Sequence, residues 1–140
     1  MSGLMSRNKG KRGEREVVKA LQPVVDKVYT KLGLEIPILE RNLMQSHRGG
    51  YDIVGLEWLA LEVKYQEQLN LSGWWEQCKK QTKEGQEPVL IYRKNNARWR
   101  VMMYGRLHAG TSHIRCPVNV ELDPFLVYFE HRLMHELKPT

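Results

Sequence analysis

The chain is poor in several features that would each have pointed to a function class. Among its 140 residues are only two cysteines, Cys78 and Cys116, in no CxxC pair and without a spaced set of histidines. That excludes a disulfide framework and a zinc-finger-type site, and two free thiols in a reducing compartment are the expectation. No apolar run approaches the roughly 18 residues a membrane-spanning helix needs. The first residues are polar and basic, with no apolar core of a secretory leader, so a cytoplasmic location is expected. There is no internal repeat, no low-complexity tract and no linker. Histidines 47, 108, 113, 131 and 135 are scattered, and none pairs with another at metal-ligand spacing.

What the chain has in excess is positive charge. Lysine and arginine outnumber acidic residues 22 to 16, a formal net charge of +6. A polyanion, nucleic acid first of all, suits that balance. Arg7, Lys9, Lys11, Arg12 and Arg15 bunch at the start, and Arg93, Lys94, Arg98 and Arg100 bunch later. Trp74, Trp75 and Trp99 lie near basic residues, where they serve either as core or as stacking surfaces for bases.

The sequence predicts a flexible basic arm over residues 1–9 and a single domain over 10–140. From Lys11 to Leu32, Val17, Val18, Leu21, Val24, Val25 and Val28 recur at helical spacing, with a kink or split expected near Gln22 because Pro23 removes a hydrogen bond. Gly33 fits the helix stop. Extended segments are expected at Leu34–Leu39 and Arg41–Met44, and a loop at Ser46–Gly50. Ser72 is the expected cap of a helix running to about Lys83. Val89–Tyr92 and Trp99–Tyr104 read as paired strands around an Asn95-Asn96 turn. Gly105 to Arg115 reads as a loop, Val118–Leu122 as a short strand, and Asp123-Pro124 as the start of a last helix carrying Phe125, Leu126, Phe129, Leu133 and Leu137. The order is that of an α/β domain with a mixed central β-sheet flanked by helices.

Tyr51 to Lys64 reads as two short apolar strands with a tight connection. Side chains alternate on a strand, so Glu62 and Lys64 share one face and Leu61 and Val63 the other. Asp52, on the first strand, reaches the Glu62 face if the strands pair. Two carboxylates held together repel and raise each other's pKa, and a divalent cation relieves the conflict. A strand-end salt bridge is the plainer account of Glu62 and Lys64, although here they interrupt an apolar run.

Asp52 with Glu62-Val63-Lys64 resembles the PD-(D/E)XK nuclease superfamily, and within it the archaeal-type Holliday junction resolvases and their phage relatives. Lys11-Arg12-Gly13-Glu14-Arg15-Glu16-Val17-Val18 resembles the opening helix of those resolvases, whose first Glu is catalytic. Arg41 resembles a basic residue of that branch, and Pro88–Tyr92 with Trp99-Arg100-Val101 its later strand pair. Tyr51 stands where the superfamily's Pro would be, and the loop Gln45–Gly50 is longer and more basic than in the resolvases.

The resemblance implies a restriction-endonuclease-like core and an Mg²⁺- or Mn²⁺-dependent endonuclease that hydrolyses DNA to 5′-phosphate products. It implies metal held by Asp52 and Glu62, the Val63 carbonyl and Glu14, directly or through water, with Lys64 acting electrostatically. Without the resemblance, Glu14 reads first as a carboxylate compensating the dipole of a helix first turn, and Glu16 is its rival. Arg15, Arg41, Lys11, Arg12, Arg48, Arg93 and Arg100 are candidate DNA contacts, and Gln77 and Gln81 are candidates for DNA or water. The substrate implied is a four-way junction cut by paired symmetric nicks. A homodimer would supply the two active sites, through the apolar faces around Trp74-Trp75 or the last helix. The alternatives are another PD-(D/E)XK nuclease, nicking or genome-processing, and a DNA-binding protein without catalysis.

Overall fold

A computed structural model describes residues 3–42 and 52–138. The chain runs α1 (Gly3–Lys31), β1 (Glu40–Arg41), β2 (Ile53–Val54), β3 (Leu59–Gln66), α2 (Leu71–Gln81), β4 (Glu87–Lys94), β5 (Arg100–Ala109), β6 (Ser112–Glu121) and α3 (Leu122–Leu137). One six-stranded sheet has its strands in sequence order, with β3 and β4 parallel and every other pair antiparallel. The parallel pair needs a crossover, and α2 provides it. This mixed sheet flanked by helices is the expected α/β, restriction-endonuclease-like core.

The sheet buries both faces. On one, the α1 stripe Val17, Leu21, Val25 and Val28 meets Leu61, Val63, Val89, Ile91 and Val101, with Phe125, Phe129 and Leu133 of α3. On the other, Trp74, Trp75 and Cys78 of α2 cover Leu90 and Tyr92. Both tryptophans are therefore core of this chain, and the apolar face expected around them for a dimer is already covered from within.

Four expectations are corrected. The residues assigned to a flexible arm are helical from Gly3 onward. Lys9 and Arg12 tie this first part of α1 to the sheet, Lys9 Nζ donating to Asn95 Oδ1 at 2.7 Å and Arg12 to the Tyr65 hydroxyl at 3.2 Å. Nor does Pro23 split the helix, which runs unbroken for 29 residues. Pro23 lies on the exposed side, where water can reach the Lys19 carbonyl that it leaves unpaired. A proline in a helix interior costs about 3 kcal/mol, whereas each buried Val or Leu of the stripe returns roughly 1.5–3 kcal/mol. Gln22 also pins this turn to the next segment, donating to the Pro37 carbonyl at 3.0 Å and accepting from the Leu39 amide at 2.8 Å.

The third correction concerns α2, which begins after Asn70 and not at a Ser72 cap, with no side-chain cap bond, and ends at Gln81. The fourth is the largest. Gly105 to Arg115 is a long hairpin and not a loop. β5 and β6 each run ten residues and pair from Arg100–Glu121 out to Ala109–Ser112. Gly110 opens the two-residue turn with φ +66°, a left-handed conformation that glycine adopts without penalty. Before the site the described residues form the two-residue β1, while residues 43–44 of the second expected extended segment and the expected Ser46–Gly50 loop, with Arg48, lie outside the described residues.

Candidate active site

β2 and β3 form the hairpin that places the acids. Ile53 pairs with Leu61, which brings Asp52 alongside Glu62. The Asp52 amide donates to the Leu61 carbonyl at 2.8 Å, and its carboxylate accepts from the Val63 amide at 2.7 Å. This backbone clamp fixes the Asp52 side chain at the start of its strand. Asp52 is 6% and Glu62 2% exposed. Alternation on β3 puts Lys64 on the Glu62 face, its Nζ 3.6 Å from Glu62 Oε1.

The two helices close on this point from opposite faces of the sheet. Glu14 and Gly10 of α1, Asp52, Glu62, Val63, Lys64, Tyr65 and Gln66, and Gln77 and Gln81 of α2 line one pocket of about 450 Å³. Gly13 permits the approach of α1. A Cβ there would lie 2.9 Å from the Tyr65 Cβ and 3.3 Å from Trp99, so any other residue would push the helix, and Glu14 with it, off the strand.

Burial first, then the Asp52 charge, pushes the Glu62 pKa up to about 8, while Lys64 opposes the rise. Burial beside a second carboxylate thus favours the protonated form of Glu62 where a cation is not supplied. This donor chemistry fits a hard divalent ion: Asp52 and Glu62 would offer carboxylate oxygens and Val63 a backbone carbonyl. Glu14 is also raised, chiefly by burial, with the Asp52 charge adding to it and Arg41 opposing it. Its carboxylate accepts from Arg41 Nε at 2.9 Å. Among the described residues no three His, Cys, Asp or Glu side chains are disposed as a metal cage. Metal-binding capacity therefore centres on the Asp52–Glu62 pair, and Glu14 belongs to the pocket wall together with Arg41. Glu14 sits well inside α1, not in its first turn, so dipole compensation does not account for it.

The candidate DNA contacts divide. Arg93 stacks over Tyr65 and Trp99, its guanidinium carbon 4.4 and 5.6 Å from the ring centres, with Glu16 at 3.7 Å. Arg12 and Lys9 also sit over the Tyr65 ring, at 5.2 and 5.6 Å. These cations flank the pocket, since Tyr65 lines it. Lys11 and Arg15 are exposed on α1. Arg100 donates to Asn119 at 3.1 Å and lies 3.9 Å from Glu121. Sequence reasoning overlooked Tyr65 and Gly13; the signal available was an aromatic residue directly after the Glu-x-Lys triplet on the same strand.

A family model described as phage putative PDDEXK endonuclease matches residues 5–109. No curated protein and no solved structure matches the chain. The matched segment spans well over half of the sequence and contains Glu14, Asp52, Glu62 and Lys64. The chain thus belongs to the phage putative PDDEXK endonuclease family.

Proposed function

We propose that this chain is a divalent-metal-dependent DNA endonuclease acting on branched DNA, with the four-way junction as its substrate. One observation carries the catalytic part: two buried carboxylates, Asp52 and Glu62, lie side by side with Lys64 on the same face, in a pocket bordered by cations. Asp52, Glu62 and the Val63 carbonyl would hold the metal, with Glu14 reaching it through water. Mg²⁺ or Mn²⁺ bound there would acidify a coordinated water and offset charge on the phosphate.

The chain's own residues supply the rest. The Val63 amide orients the Asp52 carboxylate. Lys64, 3.6 Å from Glu62, either aligns the attacking water or holds the scissile phosphate. Arg41 holds Glu14 against the pocket wall. Water adds to phosphorus, the P–O3′ bond breaks, and the 3′-oxygen leaves with a proton, giving a 5′-phosphate and a 3′-hydroxyl.

The junction preference rests on the resemblance of the opening helix and the strand pair to the resolvases. Paired nicks need two active sites, so the working form is a two-fold homodimer. The test is incubation with a synthetic four-way junction and with a linear duplex, in Mg²⁺ and in EDTA. Symmetric nicks on the junction, dependent on metal, are the expected result. Equal cutting of the duplex would make it a nuclease of broader substrate range. Binding without cutting in any metal would remove the catalytic reading.

A further inference from the structure

The outer half of the β5–β6 hairpin projects from the sheet, and its two faces differ. β4 ends its pairing with β5 at Met103, yet β5 and β6 remain paired to Ala109–Ser112. Residues 106–115 are exposed throughout. Across the ribbon, Arg106 stands opposite Arg115 and His108 opposite His113, with the imidazoles 4.4 Å apart. Leu107 opposite Ile114 makes the other face.

Like charges placed directly across a ladder are destabilising unless something of opposite sign is supplied. Among the described residues no ion pair supplies it here, although Glu87 lies in the lining of the cleft beside them. No acidic residue occurs between Glu87 and Glu121, a stretch that holds six lysines and arginines. Among the described residues neither Arg106 nor Arg115 has an ion-pair partner. Arg115 is instead held in place, its guanidinium carbon 3.6 Å from the centre of the Tyr104 ring. Together with Arg132 and Glu87, the two arginines line a cleft of about 430 Å³ at the root of the ribbon.

The register also says which way this charge faces. Glu62 pairs with Leu90, and Leu90 with Met102, so Met102, Tyr104, Arg106 and His108 continue the sheet face that carries Glu62 and Lys64. Tyr104 packs edge-on against Trp75 of α2 on that face, at 5.3 Å. From the level of Glu62 to His108 is six residues along the strand, on the order of 20 Å, or about six nucleotide steps.

We infer that the β5–β6 ribbon is a DNA arm. Its Arg106–Arg115 face binds backbone phosphates of the duplex whose scissile phosphate lies in the Asp52–Glu62 pocket. This rests on the nuclease reading above and gives a role to β6, which lies beyond the matched segment. A two-stranded ribbon has the width to lie along a DNA groove.

The test compares the wild type with Arg106→Gln/Arg115→Gln, Arg106→Lys/Arg115→Lys and Leu107→Ser/Ile114→Ser. The probe is a fluorescein-labelled four-way junction with 25-base-pair arms. Binding is read by anisotropy across a salt series in an Asp52→Asn background, and cleavage by gel in Mg²⁺. The Gln pair should weaken binding about tenfold and flatten the log–log salt slope by roughly 2, at about 0.9 for each phosphate no longer neutralised. It should raise KM with kcat within about twofold. The Lys pair should restore the slope, which a merely structural role for the arginines would not predict, and the Ser pair should leave binding unchanged. If wild type cuts while the Gln pair keeps wild-type KM and slope, the arm proposal fails and the nuclease reading stands. If the Ser pair breaks a dimer while the Gln pair binds normally, the ribbon is an interface between copies and the proposal also fails. If wild type neither binds nor cuts DNA in Mg²⁺ or Mn²⁺, both readings fall.

Discussion

The molecule forces like charges together in two places, and it handles them in opposite ways. In the pocket, Asp52 and Glu62 are buried, and their repulsion is met by the raised pKa of Glu62, by Lys64 and by a backbone amide. On the ribbon, Arg106 and Arg115 are exposed, and among the described residues neither has an ion-pair partner. Burial makes the first pair depend on a small ion of opposite sign, because water cannot screen it. Exposure makes the second pair tolerable alone and available to a large polyanion. The sign of each pair and its depth are what the two proposals rest on: a metal for the inner pair, DNA for the outer.

The sharpest way to break the comparison is to neutralise one member of the buried pair. Asp52→Asn should lower cleavage by about 10³-fold or more, the scale of several kcal/mol of lost charge stabilisation. DNA binding should hold or tighten, since a negative charge leaves a phosphate site. A single-turnover assay beside an anisotropy titration would show it, and normal cutting would mean that the acids are not the active site.

Each region also carries one cysteine, which gives an independent reading of depth. Cys78 lies under the acid pair, and burial, with Glu62 and Asp52 adding to it, raises its thiol to about 12. Cys116 sits half-exposed on β6. In native protein at pH 8, a maleimide should label Cys116 at least about a hundredfold faster than Cys78, and denaturant should abolish the difference. Equal rates, followed by peptide mass spectrometry, would mean that the acid pocket is not closed from below.

A smaller effect is expected at the pocket wall. Arg41→Ala frees a half-buried Glu14 of its partner, and the freed carboxylate gains a proton more readily. Cleavage at pH 7 should fall by roughly tenfold, consistent with an aligning role. Raising the pH should recover part of the loss. For Glu14→Gln the loss should be similar but flat with pH, and a pH-dependent Glu14→Gln would exclude this coupling.

The buried half of the molecule was far more legible in its sequence than the exposed half. The α1 stripe, the β3 alternation and the Asp52–Glu62 pairing follow from apolar periodicity, because burial enforces it. The ribbon alternates too, Arg106-Leu107-His108 against His113-Ile114-Arg115, but neither face meets a core, the run is short, and the flanking Gly105 and Gly110 read as loop. Pro23 misled for a related reason: a local rule foresaw a break, and the packing of Leu21, Val25 and Val28 outweighed it. The Glu14–Arg41 pair spans 27 residues and is a tertiary fact that no local spacing encodes.

The least dramatic test asks whether the buried pair really depends on a positive partner. The Glu62 carboxyl sits near 8 when folded, against an ordinary value of 4.5. The folded state therefore holds this proton more tightly than the unfolded chain does. The stability so conferred is fully present below about pH 4.5 and is lost as pH rises through about 8. In metal-free protein, the melting temperature of the wild type should fall behind that of Glu62→Gln by roughly 5–10 °C between pH 5 and pH 9. The amide resembles the protonated acid and has nothing to lose in that window. Adding Mg²⁺ should narrow the gap at pH 9 more than at pH 6, because the ion takes the proton's place only where the proton is leaving. A gap that stays constant with pH in EDTA would mean that Glu62 is ionised throughout, with Lys64 and the surrounding dipoles already sufficient to hold two buried negative charges together.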